Sequence, residues 1–453
     1  MSLMVSISGI RGIVGESLTP ESIVRYTAAY AEYCKHGHIV IGRDGRKTGK
    51  NVLDIAVSTL LQMGCDVTDL GICPTPTVAL AVEKLRAAGG IAITASHNPM
   101  IWNGLKFFAS TGLFLDADEN REFWQIADRR SPAYVPWDKQ GKYSRLESFI
   151  DRHVEDVLSL SYIDRKKIRS RKFKVALEAV NAAGGIIVPK LLEPLGCTIT
   201  PLNCDVSGVF SHPPEPIPEN LVSLCETVKK SGADIGIAVD PDVDRLVLVD
   251  EHGLPFGEEN TIASCVKFVL EKDPDAAKHP VVVNLSTTRA VDDIAQKHGT
   301  TPVRTPVGEI NVAKKMKEIG SHIGGEGSGG VILPKVHYGR DALVGIALVL
   351  QHLADFGGTL SALKSALPAY HITKGKVDVG TKNTGEILKR IQERFSRDGK
   401  INTDDGLKID FPRSWVHLRK SNTEPIIRII AEAPDKPEAD ALVRKFTSEI
   451  LSA

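Results

Sequence analysis

The chain has 453 residues, and 42% of them are hydrophobic. This length is too great for one compact core, so we expect about three or four domains. Its 56 lysines and arginines balance its 56 aspartates and glutamates. This balance excludes a global electric field that attracts nucleic acid or an anionic membrane, although local groups can still bind a small anionic substrate.

The cysteines and the first residues indicate a cytoplasmic protein. The seven cysteines are scattered without a Cys-x-x-Cys pair, and none follows residue 265, which is typical of reduced structural thiols. Met1-Ser2-Leu3-Met4 leads directly into polar serines, so we expect no signal peptide, and no apolar run reaches the length of a membrane span. We therefore expect neither membrane nor nucleic-acid partners, while the oligomeric state stays open.

The first predicted elements alternate between helix and strand. An open, glycine-rich stretch surrounds Arg11, and Thr19-Pro20-Glu21 then forms a plausible helix cap with proline in the first turn. The next predicted elements are a strand over 38–42, a helix over about 50–63, a strand over 66–70 and a helix over about 77–87. An apolar strand beginning at Gly89-Gly90 follows and runs into a polar turn.

That turn, Thr94-Ala95-Ser96-His97-Asn98-Pro99, presents Ser96 at a loop tip. The glycines before the strand and the Asn-Pro pair after the serine both disfavour helix. Such a position suits a nucleophile, but the Gly-x-Ser-x-Gly elbow of hydrolases is absent. Taken alone, an ordinary surface turn remains the alternative.

The same order of strands and helices returns twice. The second round begins with a strand over 173–177 and ends in a strand over 233–240, and the third runs from 280–284 through 303–308 to 321–326. Strands separated by helices of this length favour parallel pairing with right-handed crossovers. Because ligands collect beyond strand carboxyl ends, three such ends could face one cleft.

After residue 370 the pattern changes to that of a smaller α+β unit. It contains a strand over 372–379, a long helix, two strand candidates near 406–431 and a closing helix over 435–451. We expect domains at 1–148, 149–251, 252–370 and 371–453. The basic run at 165–172 lacks interleaved aromatic residues, so a solvated surface is the preferred interpretation over nucleic-acid binding.

Asp240-Pro241-Asp242-Val243-Asp244-Arg245 places a carboxylate at every second position after an apolar strand. Such hard oxygen ligands suit Mg²⁺. An EF-hand is excluded because Arg245 occupies the position where that loop needs glycine. An aspartyl nucleophile at Asp240 remains an alternative, although that motif expects threonine or valine where Asp244 stands.

Two later loops complete the set of candidate sites. Gly324-Gly325-Glu326-Gly327-Ser328-Gly329-Gly330 lacks the Lys-Ser/Thr end of a nucleotide P-loop, and its polar side chains suit adjacent sugar hydroxyls. Arg419-Lys420-Ser421-Asn422-Thr423-Glu424-Pro425-Ile426-Ile427-Arg428 combines guanidinium, hydroxyl and amide groups that suit a phosphate. Either segment alone is compatible with an ordinary turn.

In their order and spacing, the four loops resemble the α-D-phosphohexomutase superfamily. The phosphoserine loop is 94–99, the metal loop 240–245, the sugar loop 325–329 and the phosphate loop 419–425. The resemblance implies three similar α/β domains with mixed, mostly parallel sheets, and a smaller C-terminal α+β domain that closes a central cleft. It also implies one Mg²⁺ per chain.

The resemblance further implies an isomerase that interconverts hexose 1-phosphate and hexose 6-phosphate through a phosphoserine and a hexose 1,6-bisphosphate. The catalytic residues it implies are Ser96, His97, Lys106 and Arg245. The metal ligands it implies are the Ser96 phosphate, Asp240, Asp242 and Asp244. The substrate-binding residues it implies are Arg11, Thr305, Gly308, Glu326, Ser328, Arg419, Ser421, Asn422, Thr423 and Arg428.

Two departures from the family pattern leave the general acid or base open. Many relatives carry histidine where this chain has Gly330, and histidine after the glycine where this chain has Glu309. The loops resemble phosphomannomutase/phosphoglucomutase relatives, and phosphoglucosamine mutase on the same scaffold is the alternative. A phosphatase that uses Asp240 and a non-catalytic sugar-phosphate binder are the remaining hypotheses.

Overall fold

The computed structural model describes residues 2–421 and 425–452. The chain forms two compact units. The first contains the residues up to Thr261 together with Gly329–Lys364, and the second contains Ile262–Ser328 together with the residues from Ser365 onward.

Residues 4–145 form a mixed sheet with helices packed against it. Its elements are β1 (Met4–Ser6), β2 (Gly9–Ile13), α1 (Pro20–Tyr33), β3 (Ile39–Arg43), α2 (Gly49–Gln62), β4 (Val67–Ile72), α3 (Thr75–Leu85), β5 (Gly89–Ile93), β6 (Trp102–Ala109), α4 (Ala117–Arg129) and β7 (Tyr143–Arg145). The strand order is β1-β2-β6-β5-β3-β4-β7. Strands β3, β4, β5 and β7 are parallel, whereas β6, β2 and β1 are antiparallel to their neighbours. Tyr30, Phe107 and Phe123 pack in the core of this region, which makes β5 a rigid support for the turn that follows it.

The next region carries a smaller sheet. Its elements are α5 (Phe149–Leu158), α6 (Arg165–Arg171), β8 (Lys174–Glu178), α7 (Gly184–Leu192), β9 (Thr198–Leu202), α8 (Val222–Ser231), β10 (Ile235–Val239) and β11 (Leu246–Val249). The strand order is β11-β10-β8-β9, and only β11 is antiparallel. All five residues of β10 are buried, so the strand fixes the start of the aspartate loop.

The third region repeats the alternation of strand and helix. Its elements are α9 (Glu258–Lys272), β12 (Val281–Asn284), α10 (Ala290–Lys297), β13 (Pro302–Thr305), α11 (Glu309–Ile319), β14 (Gly324–Glu326), β15 (Gly330–Ile332), α12 (Ala342–Phe356) and α13 (Leu360–Ser365). Within the second unit, β12 pairs in parallel with both β13 and β14. The carboxyl ends of these three strands therefore lie at one edge.

The last region is an antiparallel sheet with two helices. Its elements are β16 (His371–Asp378), α14 (Thr384–Phe395), β17 (Lys400–Asn402), β18 (Leu407–Asp410), β19 (Trp415–Lys420), β20 (Ile426–Ala433) and α15 (Lys436–Ser452). The strand order is β16-β20-β19-β18-β17. Both helices contribute to one apolar core with the sheet, for example through Ile391 and Phe446. The predicted fold class, three α/β regions and a smaller α+β region, is confirmed.

The strand count near the C-terminus is a correction. The sequence predicted two strands over 406–431, whereas the structure has three there, and β17 precedes them. Strand β18 is four residues long and carries only two apolar side chains, Leu407 and Ile409. So short an alternation gives a weak sequence signal, and the strand is stabilised by its pairing with β17 and β19.

The basic run at 165–172 forms helix α6 and its C-cap. Arg171 donates hydrogen bonds to the carbonyl oxygens of Leu353 and Gly358, at 2.9 and 3.0 Å. Lys167 forms an ion pair with Asp355 at 2.7 Å. Two basic side chains of this run, Arg171 and Lys167, thus bind acceptors within the same unit.

The seven cysteines, all of which are described, form no disulfide. Over residues 2–421 and 425–452, every helix falls short of the length and apolar character that crossing a membrane requires.

A buried lysine in the C-terminal sheet has a cost in stability. Lys408 is 1% exposed, and its ammonium lies 3.1 Å from a carboxylate oxygen of Asp410 and 4.9 Å from the ring centroid of Trp415. Burial, and then the charge of Arg304, lower the pKa of Lys408 to about 8. At neutral pH the protein therefore holds an incompletely compensated buried cation.

We expect Lys408→Met to raise the free energy of unfolding at pH 7 by about 1–3 kcal/mol. Each unit by which the pKa of Lys408 is lowered costs the folded state about 1.4 kcal/mol, and the loss of the ion pair with Asp410 offsets part of this gain. The unfolded chain holds this proton up to about pH 10.4. Between pH 8 and about pH 10.4 the unfolded chain holds a proton that folded Lys408 has lost, so the free energy of unfolding of the wild type should rise with pH. This rise should be absent in Lys408→Met. Urea unfolding at pH 7 to 10 measures both effects. The exposed Lys400→Met is the control, and a less stable Lys408→Met at pH 7 would contradict the prediction.

Candidate active site

Ser96 lies in a tight turn immediately beyond β5. Its backbone adopts the left-handed conformation, with φ +47°, which is uncommon for a residue other than glycine. Its N–H donates to the Thr94 hydroxyl at 2.9 Å, and the residue is 6% exposed. The Ser96 hydroxyl donates to Asp240 at 3.0 Å and lies 3.4 Å from Nδ1 of His97. The structure thus brings the predicted serine and the first aspartate together.

The serine turn is held by Arg46, a residue that sequence reasoning did not select. Its guanidinium donates to the carbonyl oxygens of Ser96 at 2.5 Å and Asn98 at 2.7 Å. It also donates to those of Pro99 at 2.9 Å and Trp102 at 3.0 Å. Asp44 binds Arg46 Nε at 3.1 Å and accepts the Thr94 hydroxyl at 2.7 Å. One buried ion pair therefore fixes the whole turn.

The aspartate loop begins where β10 ends. Asp240, Asp242 and Asp244 are all buried, and one carboxylate oxygen from each lies within 4.8 Å of the others. The second oxygen of Asp240 accepts the backbone N–H groups of Asp244 and Arg245, both at 3.2 Å. Burial, and then the charges of Asp244 and Asp242, raise the pKa of Asp240 well above its usual value. Such crowding of carboxylates favours a bound cation.

Lys106 neutralises part of the negative charge of the three aspartates. It projects from β6, and its ammonium lies 2.6 Å from Asp242 and 3.4 Å from Asp244. Burial disfavours the charged forms of Lys106 and Asp242, but the attraction between opposite charges is larger. The pKa of Lys106 is therefore raised and that of Asp242 is lowered. The Thr75 hydroxyl also donates to Asp242, at 2.7 Å. Thr75 was not selected from the sequence, because 167 residues separate it from this partner.

The residues present fit a divalent cation. Asp242 Oδ1 and Asp244 Oδ1 are buried and accept no hydrogen bond, although the other oxygen of each carboxylate is bound by a lysine or arginine. Buried carboxylate oxygens that accept no hydrogen bond are suitable as the hard ligands that Mg²⁺ prefers.

Positive side chains surround the serine. Arg11 donates from Nη1 to the Asn98 side chain at 3.0 Å, and burial and then the charge of Arg245 lower its pKa. Burial, followed by Arg245 and Arg11, lowers the pKa of His97 to about 3, so its imidazole is neutral at physiological pH. Like charges brought together beside a hydroxyl form a favourable site for a phosphoryl group.

The second unit holds the predicted sugar loop. Glu326 ends β14 and is 4% exposed. One of its oxygens accepts the Asn284 amide at 2.8 Å and the Gly308 N–H at 3.0 Å. Thr305 ends β13, which is separated from β14 by β12, and Ser328 lies half-buried in the turn after β14. Gly308 has φ +128°, a conformation that glycine adopts readily.

The same unit holds the described part of the phosphate loop. Arg419 and Arg428 are direct partners on β19 and β20, and Lys376 on β16 is opposite Arg428. These three cations therefore share one face of the sheet, where an anion would relieve their repulsion. Lys376 was missed because its proximity depends on strand register. Ser421 follows β19 and donates its N–H to Ile426 O at 3.0 Å, while Asn422 and Thr423 lie outside the described residues.

Asp405 connects the sugar-loop and phosphate-loop regions. One of its oxygens accepts the N–H of Val307 at 2.9 Å, and the same oxygen lies 2.9 Å from Arg419 Nε. Sequence reasoning did not select Asp405, since both contacts are tertiary. Among the described residues of the second unit, Asp405 therefore joins Arg419 of the phosphate loop to the segment around Val307.

Family models match the chain in four consecutive parts. The models are described as phosphoglucomutase/phosphomannomutase, alpha/beta/alpha domains I, II and III, and the C-terminal domain. They match residues 4–133, 151–253, 258–370 and 375–448.

Individual proteins are similar over nearly the whole chain. A probable phosphoglucosamine mutase of Methanopyrus kandleri is 35% identical over 97% of this chain and 96% of its own length. A phosphoglucomutase/phosphomannomutase of Thermococcus kodakarensis is 35% identical over 95% of this chain and 94% of its own. The crystal structure of a phosphoglucomutase/phosphomannomutase family protein from Burkholderia thailandensis superposes with a TM-score of 0.85 at 26% identity, covering 99% of this chain and 98% of that one.

Proposed function

Because the chain belongs to the phosphoglucomutase/phosphomannomutase family of phosphohexomutases, we propose that it interconverts the 1- and 6-phosphates of mannose or glucose through a phosphoserine at Ser96. Hexose 1,6-bisphosphate is the intermediate and activator of the proposed reaction. The observation that carries the proposal is the position of the Ser96 hydroxyl, 3.0 Å from Asp240 within the aspartate cluster.

Asp240, Asp242 and Asp244 would hold Mg²⁺ together with the Ser96 phosphate. When bound, the ion would supply positive charge that stabilises the transferring phosphoryl group. Lys106 keeps two of the aspartates oriented, since it contacts both. Arg11 and Arg245 supply further charge beside the serine, and alignment and charge are the main requirements of phosphoryl transfer.

The proposed transfer conserves one phosphoryl group on the enzyme. The bond between Ser96 Oγ and phosphorus breaks as a bond forms from phosphorus to the free O1 or O6 of the hexose monophosphate, and the proton of that sugar hydroxyl replaces phosphorus on Ser96 Oγ. After the bisphosphate turns over, the opposite phosphoester bond breaks and the bond to Ser96 Oγ forms again. Neutral His97, 3.4 Å from the hydroxyl, can hydrogen-bond the serine oxygen when phosphate is absent.

Residues of the second unit would bind the rest of the substrate. We assign the non-reacting phosphate to Arg419, Arg428, Ser421, Asn422 and Thr423, as the family resemblance implies, and add Lys376 because it shares a sheet face with Arg419 and Arg428. Glu326, fixed by Asn284 and Gly308, would accept hydrogen bonds from sugar hydroxyls, and we assign Ser328 and Thr305 to substrate binding with it, as the family resemblance implies.

Glucosamine phosphate is the second candidate substrate. The specific support is the Methanopyrus kandleri relative named as a probable phosphoglucosamine mutase, which is as similar as the Thermococcus kodakarensis phosphoglucomutase/phosphomannomutase. Comparing kcat/KM on mannose, glucose and glucosamine 1-phosphates decides between them. We expect higher values for the two neutral sugars, and a clear preference for glucosamine phosphate would establish the alternative.

Locating the phosphorylated residue tests the mechanism itself. Protein incubated with labelled glucose 1,6-bisphosphate and Mg²⁺ should carry the label on Ser96 when digested and examined by mass spectrometry. Label on Asp240 with steady release of inorganic phosphate would instead establish the aspartyl phosphatase. Tight binding of the sugar phosphates without any labelling or turnover would identify a non-catalytic binder.

A further inference from the structure

Gly330 and Arg340 occupy adjoining space beside the aspartate loop. A Cβ atom at Gly330 would lie 2.3 Å from Cδ of Arg340 and 3.0 Å from its Cγ, far inside van der Waals contact. The family resemblance implies histidine at position 330 in many relatives. In this chain the aliphatic part of Arg340 fills the space that such a side chain would enter.

The guanidinium of Arg340 extends from this position to the aspartate cluster. Its Nη2 donates to Asp244 Oδ2 at 2.7 Å, the same oxygen that Lys106 approaches at 3.4 Å. The Arg340 side chain is only 10% exposed. With Oδ2 bound in this way, Oδ1 of Asp244 is left as the oxygen that accepts no hydrogen bond.

The backbone that carries Arg340 is anchored on both sides. The N–H of Asp341 donates to Val331 O at 2.9 Å, and the N–H of Ala342 donates to Val243 O, within the aspartate loop, at 3.2 Å. Val243 has φ +59°, a strained conformation for a β-branched residue. The segment 340–342 therefore contacts this loop through both its backbone and the arginine side chain.

Asp341 is itself held by two buried histidines. One oxygen of Asp341 binds Nε2 of His153 at 2.7 Å and Nε2 of His337 at 3.1 Å, while the other caps α12 through the N–H of Leu343 at 2.8 Å. Nδ1 of His337 accepts the Gly339 N–H at 2.9 Å, so Nε2 is the ring nitrogen that donates to Asp341. These contacts leave Arg340 little freedom to move away from Asp244.

We propose that Arg340 is a positioning residue that orients the Asp244 carboxylate for the divalent cation, and that Gly330 is required because it admits the arginine. The inference rests on the metal role assigned under the proposed function. Residues that orient metal ligands typically contribute ten- to hundredfold to metal affinity. The assignment also gives a physical reason why this chain has glycine at position 330.

Metal affinity tests the proposal without turnover. Titration with Mn²⁺ followed by electron paramagnetic resonance, and with Mg²⁺ by calorimetry, should show binding weakened about ten- to hundredfold in Arg340→Met and less in Arg340→Lys. Wild-type protein that binds neither ion would overturn the metal assignment, and this inference with it. Wild-type binding with unchanged or tighter binding in Arg340→Met would overturn this inference alone.

The role of Gly330 is tested by combining substitutions. Gly330→Ala should weaken metal binding as Arg340→Met does, and the double variant should be no weaker than either single one, since both act through the same contact. Gly330→His should unfold at a lower temperature than Gly330→His combined with Arg340→Ala, which removes the clash. Gly37→Ala, where a Cβ would lie 2.5 Å from that of Ala88, controls for crowding elsewhere. Additive effects on metal affinity would contradict the shared contact.

Discussion

Ser96→Ala should abolish net isomerisation of hexose phosphates, with a loss of at least about 10³-fold in kcat. The hydroxyl is the only group at this position that can carry the phosphoryl between the two ends of the sugar, and alanine removes it without adding bulk. The turn should remain folded, since Arg46 binds backbone carbonyls rather than the serine side chain. A coupled assay with Mg²⁺ and glucose 1,6-bisphosphate measures the loss.

The serine variant must be distinguished from a damaged protein. Ser58→Ala, at an exposed position on α2, is the matched control and should keep wild-type activity. Because the sugar-loop and phosphate-loop side chains are untouched, Ser96→Ala should still bind the substrate, which calorimetry can measure. Near-normal turnover in Ser96→Ala, with protein otherwise unchanged, would exclude the phosphoserine mechanism.

Local sequence patterns predicted those parts of the site that lie within one turn of chain. The spacing of Asp240, Asp242 and Asp244 places their oxygens together because one loop carries all three. Ser96 was predicted because a buried strand leads directly into its turn. The repeated strand and helix patterns likewise predicted the fold class, since hydrophobic periodicity is a local property.

Partners brought together by tertiary packing were not predictable. Thr75 and Arg340 bind the aspartates across 167 and 96 residues. Lys376 joins the cationic face only through the register of β16 against β20. A single sequence contains no signal for such pairings, whereas the loops that they support are visible in it.

Arg46→Met should cause the second largest loss of activity. The buried guanidinium donates to the carbonyls of three residues in the serine turn and to that of Trp102 at the start of β6, and it pairs with Asp44. Its removal leaves Asp44 buried without its cation, a change that costs about 3–5 kcal/mol in folding stability. It also releases the left-handed conformation of Ser96. Misplacing the serine oxygen by about 1 Å should reduce kcat roughly 100-fold.

Arg46→Lys separates the two effects, because it keeps the positive charge beside Asp44 but loses the planar donor fork. We expect a smaller loss of stability in urea unfolding than in Arg46→Met, because the charge beside Asp44 is kept while buried carbonyls lose donors. We expect kcat to fall at least about tenfold and KM to change less than about threefold, since the substrate-binding residues of the second unit are untouched. Arg171→Lys is the matched control: Arg171 also donates to two backbone carbonyls, but far from the serine turn in sequence. If Arg46→Lys and Arg171→Lys have equal effects on kcat, the guanidinium of Arg46 contributes only to folding. If instead kcat falls in Arg46→Lys alone when both variants are assayed at a temperature where both are fully folded, the position of the serine turn is what this arginine controls.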